Sequence, residues 1–328
     1  MKWFLLFPVI FLGIEFPNLA QKFPELEEAA RIKRLEPCSG IVDAVLDTDT
    51  YNEIDDQFAL VYALLSGNKI NLRAVYAAPY FNDRSAGPAD GMEKSYQEIL
   101  RILEFMDKPS EGFAFKGSEG FLKDGTSPYR SPAALDLVKK AIERTVDNPL
   151  YVIAIGAITN VASAILIDPS IIDKIVVVWL GGNGHGWPDS REFNFAQDLH
   201  ASRTIFDCGV PLVQVPCTPV VTHFTTTIPE MERYAGGRGK TGEYLLKIFR
   251  EYNKREEKAW SKVLWDMTAV AWVVNAQWTP SQIVHSPIVT DQYTYSFSNN
   301  RHLIRYVYFI NRDPIFRDFF NKLDTYAK

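Results

Sequence analysis

Residues 45–60 read VLDTDTYNEIDDQFAL, and ten of them hold Asp47, Asp49, Glu53, Asp55 and Asp56 between two apolar flanks. Just upstream, residues 42–46 are short, aliphatic and not strictly alternating, the pattern of a strand buried on both faces. Downstream, residues 56–65 carry apolar side chains at three- and four-residue steps, the pattern of a helix. Strand, short loop and helix in that order make the first half of a parallel βαβ unit. The carboxylates therefore stand at the carboxyl end of a buried strand, where open α/β sheets bind their ligands.

The alternation continues outward from this stretch. Residues 72–77, 151–155, 175–180 and 211–215 read as further buried strands, and 91–105, 132–146, 160–166 and 198–208 as helices between them. The pattern predicts an α/β fold with an open, mostly parallel, Rossmann-like central sheet flanked by helices. With no internal repeat, low-complexity tract or Ser/Gly-rich linker, residues 21–328 are expected to form a single domain. Residues 229–258 break the rhythm: polar, charged and Gly-rich at Gly236, Gly237 and Gly239, they read as a solvated helical hairpin or a flap over a site.

A chain of 328 residues that is 47% hydrophobic buries a large core with ease. Its formal net charge of -5 comes without a long basic run, so neither a nucleic-acid polymer nor an anionic membrane is the expected partner, and small molecules fit better. At the N-terminus Lys2 precedes an apolar run over 3–14 and small and polar residues up to Ala20. This reads as a signal peptide over 1–20, too short in its apolar run to span a membrane, and it implies a secreted or periplasmic protein with no membrane attachment after cleavage. Cys38, Cys208 and Cys217 are an odd count without a CxxC pair, so disulfides do not organise the fold, although Cys208 with Cys217 stays open.

Like charges crowded into one site either raise a pKa or recruit a cation. Carboxylates at the start of a helix gain from its dipole, but that serves one or two of them, not four aspartates together. All-oxygen donors favour a hard ion, Ca²⁺ or Mg²⁺. An EF-hand is excluded because Asn52 stands where the sixth loop position needs Gly. A haloacid-dehalogenase-type phosphatase would use Asp47 as nucleophile and Asp49 as acid/base, but it leaves Asp55 and Asp56 unexplained.

Further motifs follow in order: Gly156-Ala157-Ile158-Thr159-Asn160 after the strand at 151–155, Glu192-Phe193-Asn194, and Asp266 before an apolar helix. With the aspartate cluster, these resemble the nucleoside hydrolases of the inosine-uridine-preferring type, whose hallmark is DxDxxxDD after the first strand. Here TYNEI separates Asp49 from Asp55, two residues more than that pattern has. The resemblance runs from about Gly40 to Ala276 and implies the nucleoside hydrolase fold and hydrolysis of the N-glycosidic bond of a small nucleoside or riboside. It implies that Asp49, Asp56, the Ile155 carbonyl and Asp266 hold one Ca²⁺, and that Asp49 takes the proton of the attacking water. Asp55 with Asn194 would hold the 2′-hydroxyl, Asp266 the 3′-hydroxyl and Glu192 the 5′-hydroxyl, while Asp47 orients its neighbours. A homo-oligomer is compatible with it.

The leaving-group side departs from the pattern, because Trp265 precedes Asp266 where several family members carry His. An indole N–H cannot give up its proton near neutral pH. Stacking on an aromatic can still assist the departing base, and Trp265, Trp260, Tyr252 and Tyr234 could supply it. His185 is the histidine placed to act as an acid. The missing acid also motivates a second reading, a non-catalytic Ca²⁺-dependent sugar- or nucleoside-binding protein.

Overall fold

The computed structural model describes residues 23–253 and 258–328. The leader expected at 1–20 lies outside them, as does part of the polar stretch at 229–258. In chain order the strands are β1 (Val42–Thr48), β2 (Ile70–Ala77), β3 (Ala114–Lys116), β4 (Leu150–Ala154), β5 (Ile175–Leu180), β6 (Leu212–Val215), β7 (Thr225–Thr226), β8 (Lys262–Val263), β9 (Ser281–His285), β10 (Ile288–Val289), β11 (Tyr295–Ser296) and β12 (Leu303–Val307). The helices are α1 (Glu28–Leu35), α2 (Asp55–Leu65), α3 (Pro88–Phe105), α4 (Pro132–Ile142), α5 (Thr159–Ile167), α6 (Phe193–Gln197), α7 (Leu199–Asp207), α8 (Ile228–Tyr234), α9 (Gly239–Tyr252), α10 (Met267–Asn275) and α11 (Arg312–Tyr326).

Eight strands form one sheet in the order β3-β2-β1-β4-β5-β6-β12-β9. All its pairs are parallel except β12 with β9. The mostly parallel α/β architecture is thus the one the alternation predicts. Successive strand residues feed two cores: Leu46 and Ile153 join α2, α10 and α11 on one face, while Val45 and Val152 join α4, α5 and α7 on the other. That two-sided burial is why these strands are aliphatic throughout rather than alternating. Helix α2 is buried at every residue from Asp55 to Ala63, which accounts for its apolar character nearly all round.

The sequence pattern missed β3, β9 and β12. β3 is a three-residue edge strand, β9 forms the opposite, antiparallel edge, and β12 places the charged Arg305 inside the strand. None carries the continuous aliphatic run that betrays a central parallel strand. The described part of 229–258 is helical, α8 and α9 joined through Gly236 to Gly239, with Gly237 and Gly239 at positive φ. All three cysteines are free, so Cys208 and Cys217 form no disulfide. Among the described residues no helix is long and apolar enough to cross a membrane.

The strand order decides where the site lies. β1 has β2 on one side and β4 on the other, so the chain leaves β1 toward one edge of the sheet and later returns to its opposite flank. Connections diverge at such a switch point and leave a crevice beyond the carboxyl ends of the strands. Asp47 pairs with Ala154 across it, and the Ile155 N–H donates to the Asp47 carbonyl at 2.8 Å.

Candidate active site

After Thr48 the main chain turns tightly, with the N–H groups of Tyr51 and Asn52 both donating to the Asp49 carbonyl at 2.6 and 2.8 Å. The residues lengthening this loop thus form a hydrogen-bonded turn, and Ile54 then opens α2 without a side-chain cap. Asp55 and Asp56 occupy the first turn, and Asp266 opens α10, again with no side-chain capping bond. The aspartates are therefore not spent on closing helix ends. Their side chains converge instead: Asp55, Asp56 and Asp266 each bring a carboxylate oxygen within 4.8 Å of the others. Asp49 meets the group through Asp56. Gly156 shapes the same floor, because a Cβ there would lie 3.0 Å from the Asp49 carboxyl carbon.

These carboxylates are sealed from solvent but poorly served by donors. Asp47, Asp49 and Asp56 are each 0% exposed. One oxygen of each has a partner: Asn160 Nδ2 donates to Asp47 at 2.8 Å, Asn52 Nδ2 to Asp49 at 2.9 Å, and Thr48 Oγ1 to Asp56 at 2.5 Å. The other oxygen of each, Asp47 Oδ2, Asp49 Oδ1 and Asp56 Oδ2, has none. Burial raises Asp47 to about 7, held back by the Asn160 bond. Burial, then the Asp55 charge, takes Asp56 to about 7. Burial lifts Asp55 to about 6 against the pull of Lys262. Asp49 and Asp266 are pushed well above the carboxylate range by burial and then by their aspartate neighbours. Buried acceptors that lack donors and repel one another form the environment a hard cation relieves, and the oxygen-only donor set fits Ca²⁺ or Mg²⁺.

A cavity of about 290 Å³ opens beside this floor, lined by Asp55, Asp266, Trp265, Glu192 and Asn194 together with Asn52, Glu53, Asn183, Arg191, Cys217 and Thr218. Glu192 is the N-cap of α6: one oxygen accepts from Asn194 N–H at 3.0 Å, the other from Gly182 N–H at 3.0 Å and Phe195 N–H at 3.1 Å. Asn194 spends its Nδ2 on the carbonyls of Ile155 at 3.1 Å and Leu180 at 3.0 Å, which anchors the turn to the ends of β4 and β5. The Ile155 carbonyl thus already accepts one bond, from Asn194.

The structure does not bring His185 to the cavity wall. Its Nε2 bonds Gln214 Oε1 at 2.8 Å, its ring lies 4.2 Å from that of Tyr306, and burial lowers its pKa to about 4. Of the other aromatic candidates, Trp260 packs edge-on against Phe249 and Tyr234 against Phe320, while Tyr252 has Lys262 over its ring. Sequence reasoning missed Lys262, which pairs with Glu53. Burial alone would lower its pKa, but Asp55 and Glu53 outweigh burial and hold the ammonium charged. It lies 209 residues from Glu53 on β8, and no local pattern marks such a partner.

A strand-end aspartate cluster, a G-A-I-T-N turn against it and an E-F-N turn across one cavity can now be set beside known proteins. Residues 44–303 match the family model described as inosine-uridine preferring nucleoside hydrolase. The chain belongs to that family. It is accordingly an N-glycosidase of the nucleoside hydrolase type. Similar curated family members include the pyrimidine-specific ribonucleoside hydrolase RihA of Enterobacter sp. (strain 638), 30% identical over 261 residues and matched over 71% of this chain and 79% of its own. RihA of Klebsiella pneumoniae (strain 342) is 28% identical over 251 residues, covering 68% and 77%. Among solved family structures, the purine-preferring ribonucleoside hydrolase from Gardnerella vaginalis superposes with a TM-score of 0.71 at 19% identity over 87% of this chain and 99% of its own, which supports the shared fold.

Proposed function

We propose that this nucleoside hydrolase cleaves ribonucleosides at the aspartate floor with Asp49 as the base. The observation that carries the reading is the set of sealed, donorless oxygens on Asp47, Asp49 and Asp56, with Asp56 clustered against Asp55 and Asp266, two carboxylates that line a cavity. Asp49, Asp56, Asp266 and the Ile155 carbonyl would hold a Ca²⁺ ion. When bound, the ion supplies the positive charge that keeps these carboxylates ionised and makes nearby water more acidic. Asp49 takes the water's proton as the water oxygen bonds to C1′ of the sugar. The C1′–N bond breaks, its electron pair leaves with the nucleobase, and the nucleobase takes a proton from solvent. An oxocarbenium-like sugar is the species to be stabilised, as in other glycoside hydrolyses.

Asp55 with Asn194 would hold the 2′-hydroxyl, Asp266 the 3′-hydroxyl and Glu192 the 5′-hydroxyl. Asp47, bonded to Asn160, braces the floor from behind. Trp265 lines the cavity and would stack on the nucleobase, whereas His185 is neutral at pH 7 and bonded to Gln214. Export rests on the leader over 1–20.

The test is a panel of purine and pyrimidine nucleosides incubated with the mature protein and Ca²⁺, following free base and reducing sugar. Both base classes belong in it because the relatives' names include a pyrimidine-specific and a purine-preferring enzyme. Release of base from at least one ribonucleoside, abolished by chelation and restored by Ca²⁺, is expected. No release from any of them would overturn the reading in favour of a sugar-binding protein.

A further inference from the structure

The cavity wall carries four acidic side chains, Glu53, Asp55, Glu192 and Asp266, and one cationic one, Arg191. A ribose and an uncharged base carry no negative charge that calls for a guanidinium there. Among the described residues no carboxylate pairs with this guanidinium, which lies over the ring of Tyr293, 4.4 Å from its centroid. The segment is held in place: the Arg191 N–H donates to Asp189 Oδ1 at 2.8 Å, and the Ser190 N–H to the Tyr293 carbonyl at 2.7 Å. A stacked arginine with its N–H fork uncommitted is suited to a planar carboxylate or a phosphate.

We infer that the site also accepts ribosides with an anionic group on the 5′ carbon, namely nucleoside 5′-monophosphates, and that Arg191 binds their phosphate. The placement rests on the proposed assignment of the 5′-hydroxyl to Glu192, the next residue in the chain. A phosphate dianion brought near Glu192, Glu53, Asp55 and Asp266 is repelled unless a cation meets it, and Arg191 is the wall residue that does so. It is also exposed, so the phosphate keeps part of its hydration. The chemistry is otherwise unchanged. Water oxygen bonds to C1′ as its proton passes to Asp49, the C1′–N bond breaks with its electron pair on the nucleobase, the nucleobase takes a proton from solvent, and ribose 5-phosphate remains.

The experiment compares inosine with inosine 5′-monophosphate, and uridine with uridine 5′-monophosphate, on the full chain with Ca²⁺, for wild type, Arg191→Met and Arg191→Lys. Calorimetric titration with ribose 5-phosphate and with ribose runs alongside, so that the phosphate site is read even without turnover. The expected results are base release from a monophosphate, and ribose 5-phosphate bound at least tenfold more tightly than ribose. Arg191→Met should lower kcat/KM for the monophosphate roughly 10- to 100-fold more than for its nucleoside, the size of a charge-assisted contact, and Arg191→Lys should recover part of it. Nucleosides cleaved while both monophosphates stay inert would overturn this inference and leave the hydrolase reading standing. So would equal binding of the two sugars, or an Arg191→Met effect of the same size on both substrates. If nothing is cleaved, the hydrolase reading fails, and the sugar titration alone decides the phosphate site.

Discussion

Glu192 and the Asp47 to Asp56 floor are two solutions to one problem, a carboxylate taken out of water. At Glu192 the backbone solves it: N–H groups of Gly182, Asn194 and Phe195 cover both oxygens, and the side chain closes the start of α6. On the floor the protein leaves it unsolved, with one oxygen each on Asp47, Asp49 and Asp56 lacking any donor. A buried acceptor without a partner costs about 1–3 kcal/mol, more when charged, so several in one place mark a site that waits for a cation. Burial by itself does not mark where a cation is wanted. Donor supply does.

The largest effect that could break this contrast is on turnover. Asp49→Ala is expected to lower kcat/KM on the order of 10²- to 10⁴-fold, as loss of a base does. If the proposed ligand set holds, Asp56→Asn should also bind Ca²⁺ far more weakly, because an amide keeps one weaker oxygen and no charge. Full occupancy in Asp56→Asn by metal analysis would remove Asp56 from the ligand set.

Next in size is stability without metal. In chelator, Asp56→Asn should melt at a higher temperature than wild type, since it relieves like-charge repulsion. Glu192→Gln should melt lower, by about 1–3 kcal/mol in stability, because its amide –NH₂ would face backbone donors. Both variants moving in the same direction would erase the distinction.

The pH dependence sharpens the same point. Asp47 and Asp56 have folded values raised to about 7 from an ordinary value near 3.8, so the native state binds more protons than the unfolded chain between those limits. Stability of the metal-free protein should therefore fall as pH rises from about 4 to 7. Stabilisation by added Ca²⁺ should grow over the same window as protons give way to the ion. A metal-free melting temperature that rises across it would contradict the burial of these groups.

Smaller effects concern the wall. Lys262→Met frees Glu53 and the loop before α2, and a several-fold rise in KM with little change in kcat is expected; an unchanged KM would mean that the loop holds its shape without the ion pair. Smallest of all, His185→Ala should alter kcat/KM for inosine less than threefold, while Trp265→Ala lowers it more. The reverse order would return the leaving-group role to His185.

How much of this was legible differs element by element. The central strands could be read because burial on both faces demands unbroken aliphatic runs; the edge strands β3 and β9 could not because nothing enforces that pattern at an edge, and β12 could not because Arg305 interrupts its run. The aspartate cluster was conspicuous because like charges rarely crowd so closely between a strand and a helix, and the G-A-I-T-N, E-F-N and Asp266 positions followed in order. Those features determined the fold class and the chemistry of the floor. Only the tertiary structure decided that Ile54 and not an aspartate stands at the N-cap of α2, that Glu192 is satisfied by backbone, that His185 turns to Gln214, and that Lys262 reaches Glu53. Residue type and spacing along the chain record which groups are available, but whether a buried carboxylate finds a donor depends on neighbours from distant strands, which meet only when the sheet closes around it.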